Sequence, residues 1–468
     1  MIISGALPNL SARELTITSI SKAPVTEETL SALPPVAEDA AMSTPINDVK
    51  SDRVSEIAPQ RILLVATEWL SSHGGISSLN RSLAIALAAL GNDVVCLVPN
   101  ATQEEMDLAL QGHVRLVSIG RRSGFNDAML LLTFRPDMLG AMVPKYVIGH
   151  DHITGPVAKH ISERIAGSRY VHFVHTIPHE IEPYKLDDDG HSRNFDKGEK
   201  KSREQLEQCR EADLVVAIGP RIADELKASL TDCPGRVFEL APGLDERLCA
   251  DNRPLPITGA KRCLFMGRLD DPELKGLAIA AEMLEELYSN PIYCDSKSVA
   301  LIIRWTDPRL TNAQITQLCN NYKIPKHQVI PRTYSIDTEA LREEFLSTSM
   351  LIMPSRVECF GLVALDAISA GIPVLIGFNS GIVQLLSKVD RAQSNTLPEW
   401  KDRTVEVGPD DKLNGRAWAA AVHKVLENRD EAFKDAKAYR AKLLPILSWR
   451  AAAISLGERL AEIDSSQE

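Results

Sequence analysis

The run Arg61-Ile62-Leu63-Leu64-Val65-Ala66 constrains the fold most, because every position from Ile62 to Ala66 is apolar. A strand with one wet face alternates apolar with polar residues, whereas a strand in a parallel sheet is covered by helices on both faces and stays apolar throughout. A helical stripe follows, Leu79, Leu83, Leu87 and Leu90 closed by Gly91, and then a second apolar run, Val94-Val95-Cys96-Leu97-Val98. Strand, glycine loop, helix and strand make a right-handed βαβ unit. Further strands are predicted at 114–119, 146–148, 170–174, 214–218 and 237–240, with helical stretches between several of them. This alternation predicts an open, doubly wound α/β sheet, whose ligands lie beyond the carboxyl ends of the strands. The pattern starts again at Cys263-Leu264-Phe265-Met266-Gly267-Arg268-Leu269, continues with a helix over 276–287, and runs through strands at 299–304, 329–331, 351–353 and 374–376. A second doubly wound domain is therefore expected, which suits 468 residues, more than one core usually supports.

Composition narrows the function. The formal net charge of −11 argues against a nucleic-acid partner. No run of 18 apolar residues is present to span a membrane, although a peripheral contact stays open. The first residues lack the basic-then-apolar layout of a secretory signal, and the eight cysteines are scattered without a C-x-x-C pair, so a cytoplasmic protein with reduced thiols is expected. Residues 1–59 contain no Phe, Trp or Tyr and read as a disordered tail or linker, open to another protein or domain as partner.

One stretch carries chemistry. The strand at 350–353 ends at Pro354-Ser355, Glu358 follows, and Gly361 opens a helix that holds Asp366 and stops at Gly371-Ile372-Pro373. The free amides and positive dipole end of that helix make an anion site. Pro354-Ser355-Arg356-x-Glu358-x-Phe360-Gly361-Leu362-x4-Asp366-Ala367-x2-Ala370-Gly371-x-Pro373-Val374 resembles the E-x7-E segment of retaining glycosyltransferases of family four, with Asp in place of the second Glu. The resemblance covers residues 61 to the end. It implies the GT-B fold, two Rossmann-like domains facing across a cleft: 60–243 on the acceptor side, 244–448 holding the nucleotide sugar, and a terminal helix, 449–465, returning to the first domain. Leu240-Ala241-Pro242-Gly243-Leu244-Asp245 resembles the family's interdomain turn, whose glycine frees the chain to enter the second domain.

The roles follow from the same resemblance. Glu358 bonds donor-sugar hydroxyls, the turn Cys359, Phe360, Gly361 and Leu362 lends backbone amides, and Asp366 holds the ribose. Arg268 and Lys275 clamp the donor diphosphate, where cations stabilise the charge growing on the leaving group. His175 resembles the strand-end histidine that reaches the cleft and touches donor sugar or acceptor. Gly74-Gly75 lets a ligand approach the backbone closely, though G-x-G-x-x-G is absent and a plain turn reads equally well. Seven of the eleven histidines lie between His150 and His191, which raises a metal cluster. Strand alternation sends His172 and His175 to opposite sides, and no Cys or carboxylate spacing completes a site, so no metal and no cofactor are expected. Asp187-Asp188-Asp189 reads as a solvated acidic turn rather than the D-x-D of the other glycosyltransferase fold. The expected reaction is retaining, metal-independent transfer of a sugar from a nucleoside-diphosphate sugar to a hydroxyl acceptor. The alternatives are a nucleotide-sugar epimerase of the same architecture and a catalytically degenerate nucleotide-sugar-binding module.

Overall fold

A computed structural model describes residues 58–70, 75–185, 195–248, 261–267, 271–296, 298–305, 312–333, 337–393 and 400–465. Most of the 1–59 segment, Gly74, Arg268 and Asp187 to Asp189 lie outside the described residues.

The apolar runs form two separate parallel sheets. The first contains β1 (Arg61–Val65), β2 (Asp93–Val98), β3 (Arg115–Ser118), β4 (Tyr146–His150), β5 (Arg169–Val174), β6 (Leu214–Ile218) and β7 (Val237–Leu240), ordered β3-β2-β1-β4-β5-β6-β7. The second contains β8 (Lys261–Met266), β9 (Val299–Trp305), β10 (Val329–Thr333), β11 (Met350–Met353), β12 (Val374–Gly377) and β13 (Thr404–Val405), ordered β10-β9-β8-β11-β12-β13. Every neighbouring pair is parallel. β4, β6, β11 and β12 are buried at every residue, as strands covered on both faces must be.

In each sheet the winding reverses once, between β1 and β4 and between β8 and β11. Connections on the two sides of such a point leave on opposite faces and open a crevice at the strand ends. The helix expected over 276–287 is Leu277–Ser289, preceded by a short separate helix, Pro272–Lys275. Gly276 breaks the two with a left-handed φ of 75°, and a Cβ there would sit 2.0 Å from the Pro354 carbonyl oxygen. That junction turns Lys275 toward the end of β11.

The helix Trp449–Ser465 packs against the helix Gly75–Ala89 of the first domain. Fully buried Tyr146 fixes it, donating from its hydroxyl to the Leu460 carbonyl at 2.8 Å and meeting Asp464, which also pairs with Lys145. The chain crosses between the domains at two adjacent places. Leu244 N–H donates to Leu447 O at 2.9 Å, and Leu244 bridges Ser448 in parallel. Gly243 is needed here for space, not for conformational freedom: its φ lies outside the left-handed region, but a Cβ would stand 2.0 Å from Trp449 N.

Candidate active site

The two reversal points face one another. A cavity of about 350 Å³ lies between them, walled by the segments that leave the carboxyl ends of β1, β4 and β5 on one side and of β8 and β11 on the other. Glu358, Cys359, Lys275, His175 and Gly75 all line it.

On the second-domain wall, Lys275 Nζ lies 2.7 Å from Glu358 Oε2, and Ser355 Oγ donates to the same oxygen at 3.3 Å. The Lys275 and Glu358 side chains are 25% and 18% exposed, so the pair is half shielded from water. Burial works against the Lys275 charge, but the attraction and hydrogen bond of Glu358 outweigh it and hold the ammonium above its ordinary pKa. The backbone fixes both residues. Arg356 N–H donates to Leu274 O at 2.9 Å, Gly381 N–H to Glu358 O at 2.9 Å, and Ile382 N–H to Phe360 O at 2.7 Å. Gly361 caps the helix Leu362–Ser369 with φ 108°, and a Cβ would meet Met353 Cε at 2.9 Å. The helix thus starts tightly against β11, with its positive end toward the cleft.

The first domain grips this turn at three points. Ile177 N–H donates to Cys359 Sγ at 3.2 Å. Gly219, at φ 83°, leaves room for the Phe360 ring, whose Cδ2 is 2.5 Å from where a Cβ would be. Gly75 does the same for Leu362, whose Cδ1 is 2.7 Å from a Cβ. Gly75 therefore brings the start of the helix Gly75–Ala89 against the start of Leu362–Ser369. Burial pushes the Cys359 thiol up to about 12, so it stays protonated at neutral pH.

His175 stands just past β5 in a chain of polar contacts that the sequence reading missed. Its Nε2 lies 2.9 Å from His150 Nδ1, and His150 Nε2 lies 2.9 Å from Asn80 Oδ1. Asn80 Nδ2 donates to Cys96 Sγ at 3.6 Å. The His175 backbone N–H donates to Asp151 Oδ1 at 3.1 Å. Burial, then the neighbouring His150 and His172, holds His175 well below the usual histidine range, and burial brings His150 down to about 3. Burial also raises the Asp151 carboxyl to about 7. Both imidazoles are thus neutral at pH 7. His172, fully buried, bonds Tyr170 OH through Nδ1 at 2.6 Å and takes no part in the chain. Among the described residues, no group of three or more His, Cys, Asp or Glu side chains is placed to hold a metal ion. No helix among them is long and apolar enough to cross a membrane.

Asp366 is not on the cavity wall. It lies near Asp245, Arg247 and Arg81, where the chain enters the second domain, and burial followed by Asp245 raises its carboxyl to about 8. Glu68, which accepts from Ser77 Oγ at 2.9 Å, and Lys185 line the cavity although no motif marked them. The signal for Asn80 was a polar residue on the buried face of its helix, beside Ala84 and Leu87.

Two doubly wound domains with a ligand-sized cavity between their strand ends are the GT-B architecture of glycosyltransferases. Solved structures of that fold resemble the chain along most of its length. Sucrose-phosphate synthase from Thermosynechococcus elongatus superposes with a TM-score of 0.65 at 16% identity, over 87% of this chain and 100% of that one. A glycosyltransferase from Rickettsia africae gives 0.59 at 14% over 86% and 98%, respectively. HepE from Anabaena, solved with UDP and glucose, gives 0.58 at 14% over 86% and 99%. No curated protein sequence matches the chain. Residues 63–456 match the model of the family described as Family 4 Glycosyltransferase in conflict systems, and the chain belongs to that family.

Proposed function

We propose that the protein moves a sugar from a nucleoside-diphosphate sugar to a hydroxyl of an acceptor, with retention of anomeric configuration and without a metal ion. The observation that carries this reading is the opposition, across one cavity, of the Glu358–Lys275 pair and the neutral His175. An anionic donor diphosphate would draw Lys275 from Glu358, and Arg268 and the positive end of the helix Leu362–Ser369 would share its charge. Glu358, released, accepts hydrogen bonds from donor-sugar hydroxyls as positive charge grows at the anomeric carbon. His175 meets the acceptor hydroxyl with a ring lone pair, since a neutral imidazole brings no positive charge against the forming oxocarbenium centre. Asp366 takes no step in this scheme, because its carboxyl lies off the cavity wall. A neighbour of the same fold, HepE, is solved with UDP-glucose, which supports a nucleotide sugar as donor. In this scheme Lys275, Arg268 and the helix terminus would together carry the charge of the departing diphosphate, so chelators should leave turnover unchanged.

The test is nucleotide release across a panel of nucleoside-diphosphate sugars with simple hydroxyl acceptors, with the anomeric configuration of the product read by NMR. An α-linked donor should give an α-linked product. An inverted product removes the retaining mechanism, formation of an isomeric sugar nucleotide supports an epimerase, and tight donor binding without turnover supports a binding module.

A further inference from the structure

Of the five polar side chains in the histidine chain, His175 and His150 line the cavity and Asn80, Cys96 and Asp151 lie behind them, and the contacts along this chain decide which face His175 shows to a substrate. We propose that His150 is the positioning residue of His175: held by Asn80, it keeps the His175 proton on Nε2 and presents the Nδ1 lone pair to the cavity as a hydrogen-bond acceptor for a hydroxyl group. This rests on the transfer reading above.

The protons can be followed from the buried end. Asn80 Nδ2 is used on the Cys96 sulfur, so Oδ1 is the atom facing His150 Nε2 at 2.9 Å. An amide oxygen only accepts, hence His150 carries its proton on Nε2. Because His150 is neutral, its Nδ1 has a lone pair and no proton, and the 2.9 Å contact to His175 Nε2 needs the proton on His175. The remaining His175 nitrogen, Nδ1, has no partner among the described residues, and its ring lines the cavity. A sugar hydroxyl there donates to it.

The backbone supports the same assignment. Asp151, directly after His150, is buried with φ 42°, a left-handed conformation that a non-glycine residue rarely adopts. The turn so forced places its carboxylate Oδ1 on the His175 N–H and leaves His150 aimed at the ring of the same residue. One dipeptide at the end of β4 therefore holds the backbone and the side chain of a residue at the end of the adjacent β5. His150 N–H donates to Thr154 Oγ1 at 2.9 Å, which ties this arrangement to the first turn of the helix Asp151–Glu163.

The experiment has one arm that needs no substrate and one that does. Long-range ¹H–¹⁵N spectra of the full chain with labelled histidine, with the His175 signals assigned by their loss in His175→Gln, should show Nε2–H in the parent at pH 7. In His150→Leu, which cannot accept, both His175 tautomers should be populated. In the transfer assay, His150→Leu should lower kcat about 10²-fold while the donor KM stays within about threefold. His150→Asn places an amide oxygen near the former Nδ1 and should recover most of that loss, a rescue that packing alone does not give. An Nδ1–H tautomer in the parent overturns the proposal, as does His150→Leu with parental kcat. If the parent transfers no sugar to any acceptor, the transfer reading fails, and the spectra still decide how His175 is held. If His150→Leu fails to fold, the parent spectrum and the Asn variant carry the decision.

Discussion

Replacing Glu358 by Gln should slow the reaction and at the same time strengthen nucleotide binding. In the unliganded chain Lys275 is committed to Glu358 at 2.7 Å, with side chains 25% and 18% exposed. An exposed ion pair contributes about 0–1 kcal/mol, and breaking a fully buried one costs about 3–5 kcal/mol, so a half-shielded pair falls at about 1–2 kcal/mol. A nucleoside diphosphate that recruits Lys275 must give up that amount. It also meets the negative charge of Glu358. Glu358→Gln removes both penalties with little change of shape, so the nucleoside diphosphate should bind about 5- to 30-fold tighter, at 1.4 kcal/mol per tenfold. Turnover should fall about 10²-fold or more, because a neutral amide no longer stabilises charge at the anomeric carbon. Isothermal titration of the preferred nucleoside diphosphate, beside initial rates, reads both quantities. Lys275→Met should weaken binding more than about tenfold, and the double variant should lose the gain seen in Glu358→Gln. Weaker nucleotide binding in Glu358→Gln, or a gain that survives in the double variant, refutes the exchange of partners at Lys275.

Three further outcomes follow from the same geometry. His175→Ala should lower turnover about 10²-fold or more with nucleotide affinity unchanged, whereas fully buried His172→Ala should chiefly lower Tm; equal kinetic losses at both would contradict the separate roles. Gly219→Ala should cost about 2–4 kcal/mol and several degrees of Tm, because its φ of 83° and ψ of 169° suit glycine and a Cβ meets the Phe360 ring at 2.5 Å; an unchanged melting curve would contradict this. Asp366 has a folded pKa of about 8, raised from 3.8, so it weakens the fold progressively as pH climbs through that interval; Asp366→Asn should raise Tm at pH 8 and change little near pH 4, as calorimetry at both values can check.

The strands were legible because their apolar character comes from burial on both faces, a property each segment carries alone. β13 was not, since two residues, Thr404 and Val405, give no periodicity to read. Glu358, Lys275 and His175 were legible as motif positions, and the structure brings all three to one cavity. Their partnership was not, because an ion pair between residues 275 and 358 depends on how two loops end. His150 drew notice only through the crowding of histidines around it, which raised a metal cluster that spacing and strand alternation then argued against. Its contacts to Asn80 and His175 join three separate segments, and no spacing within any one of them encodes that. The role of Gly243 was misjudged for a related reason: a sequence shows that a side chain is missing, but not which distant backbone occupies the space.

The paired crossings at Leu244 and Ser448 have a consequence during synthesis. The first domain is complete only when the helix Trp449–Ser465 reaches Tyr146, yet the whole second domain is translated in between. At about 5–20 residues per second, roughly 200 residues separate the two events by about 10–40 s. Throughout that interval the face of the helix Gly75–Ala89 that the terminal helix covers is bare on the ribosome, and the Tyr146 hydroxyl lacks its acceptor. A stop codon just before Trp449 would leave a second domain with all its strands beside a first domain that stays uncovered, so late truncations should yield aggregation-prone chains that chaperones retain.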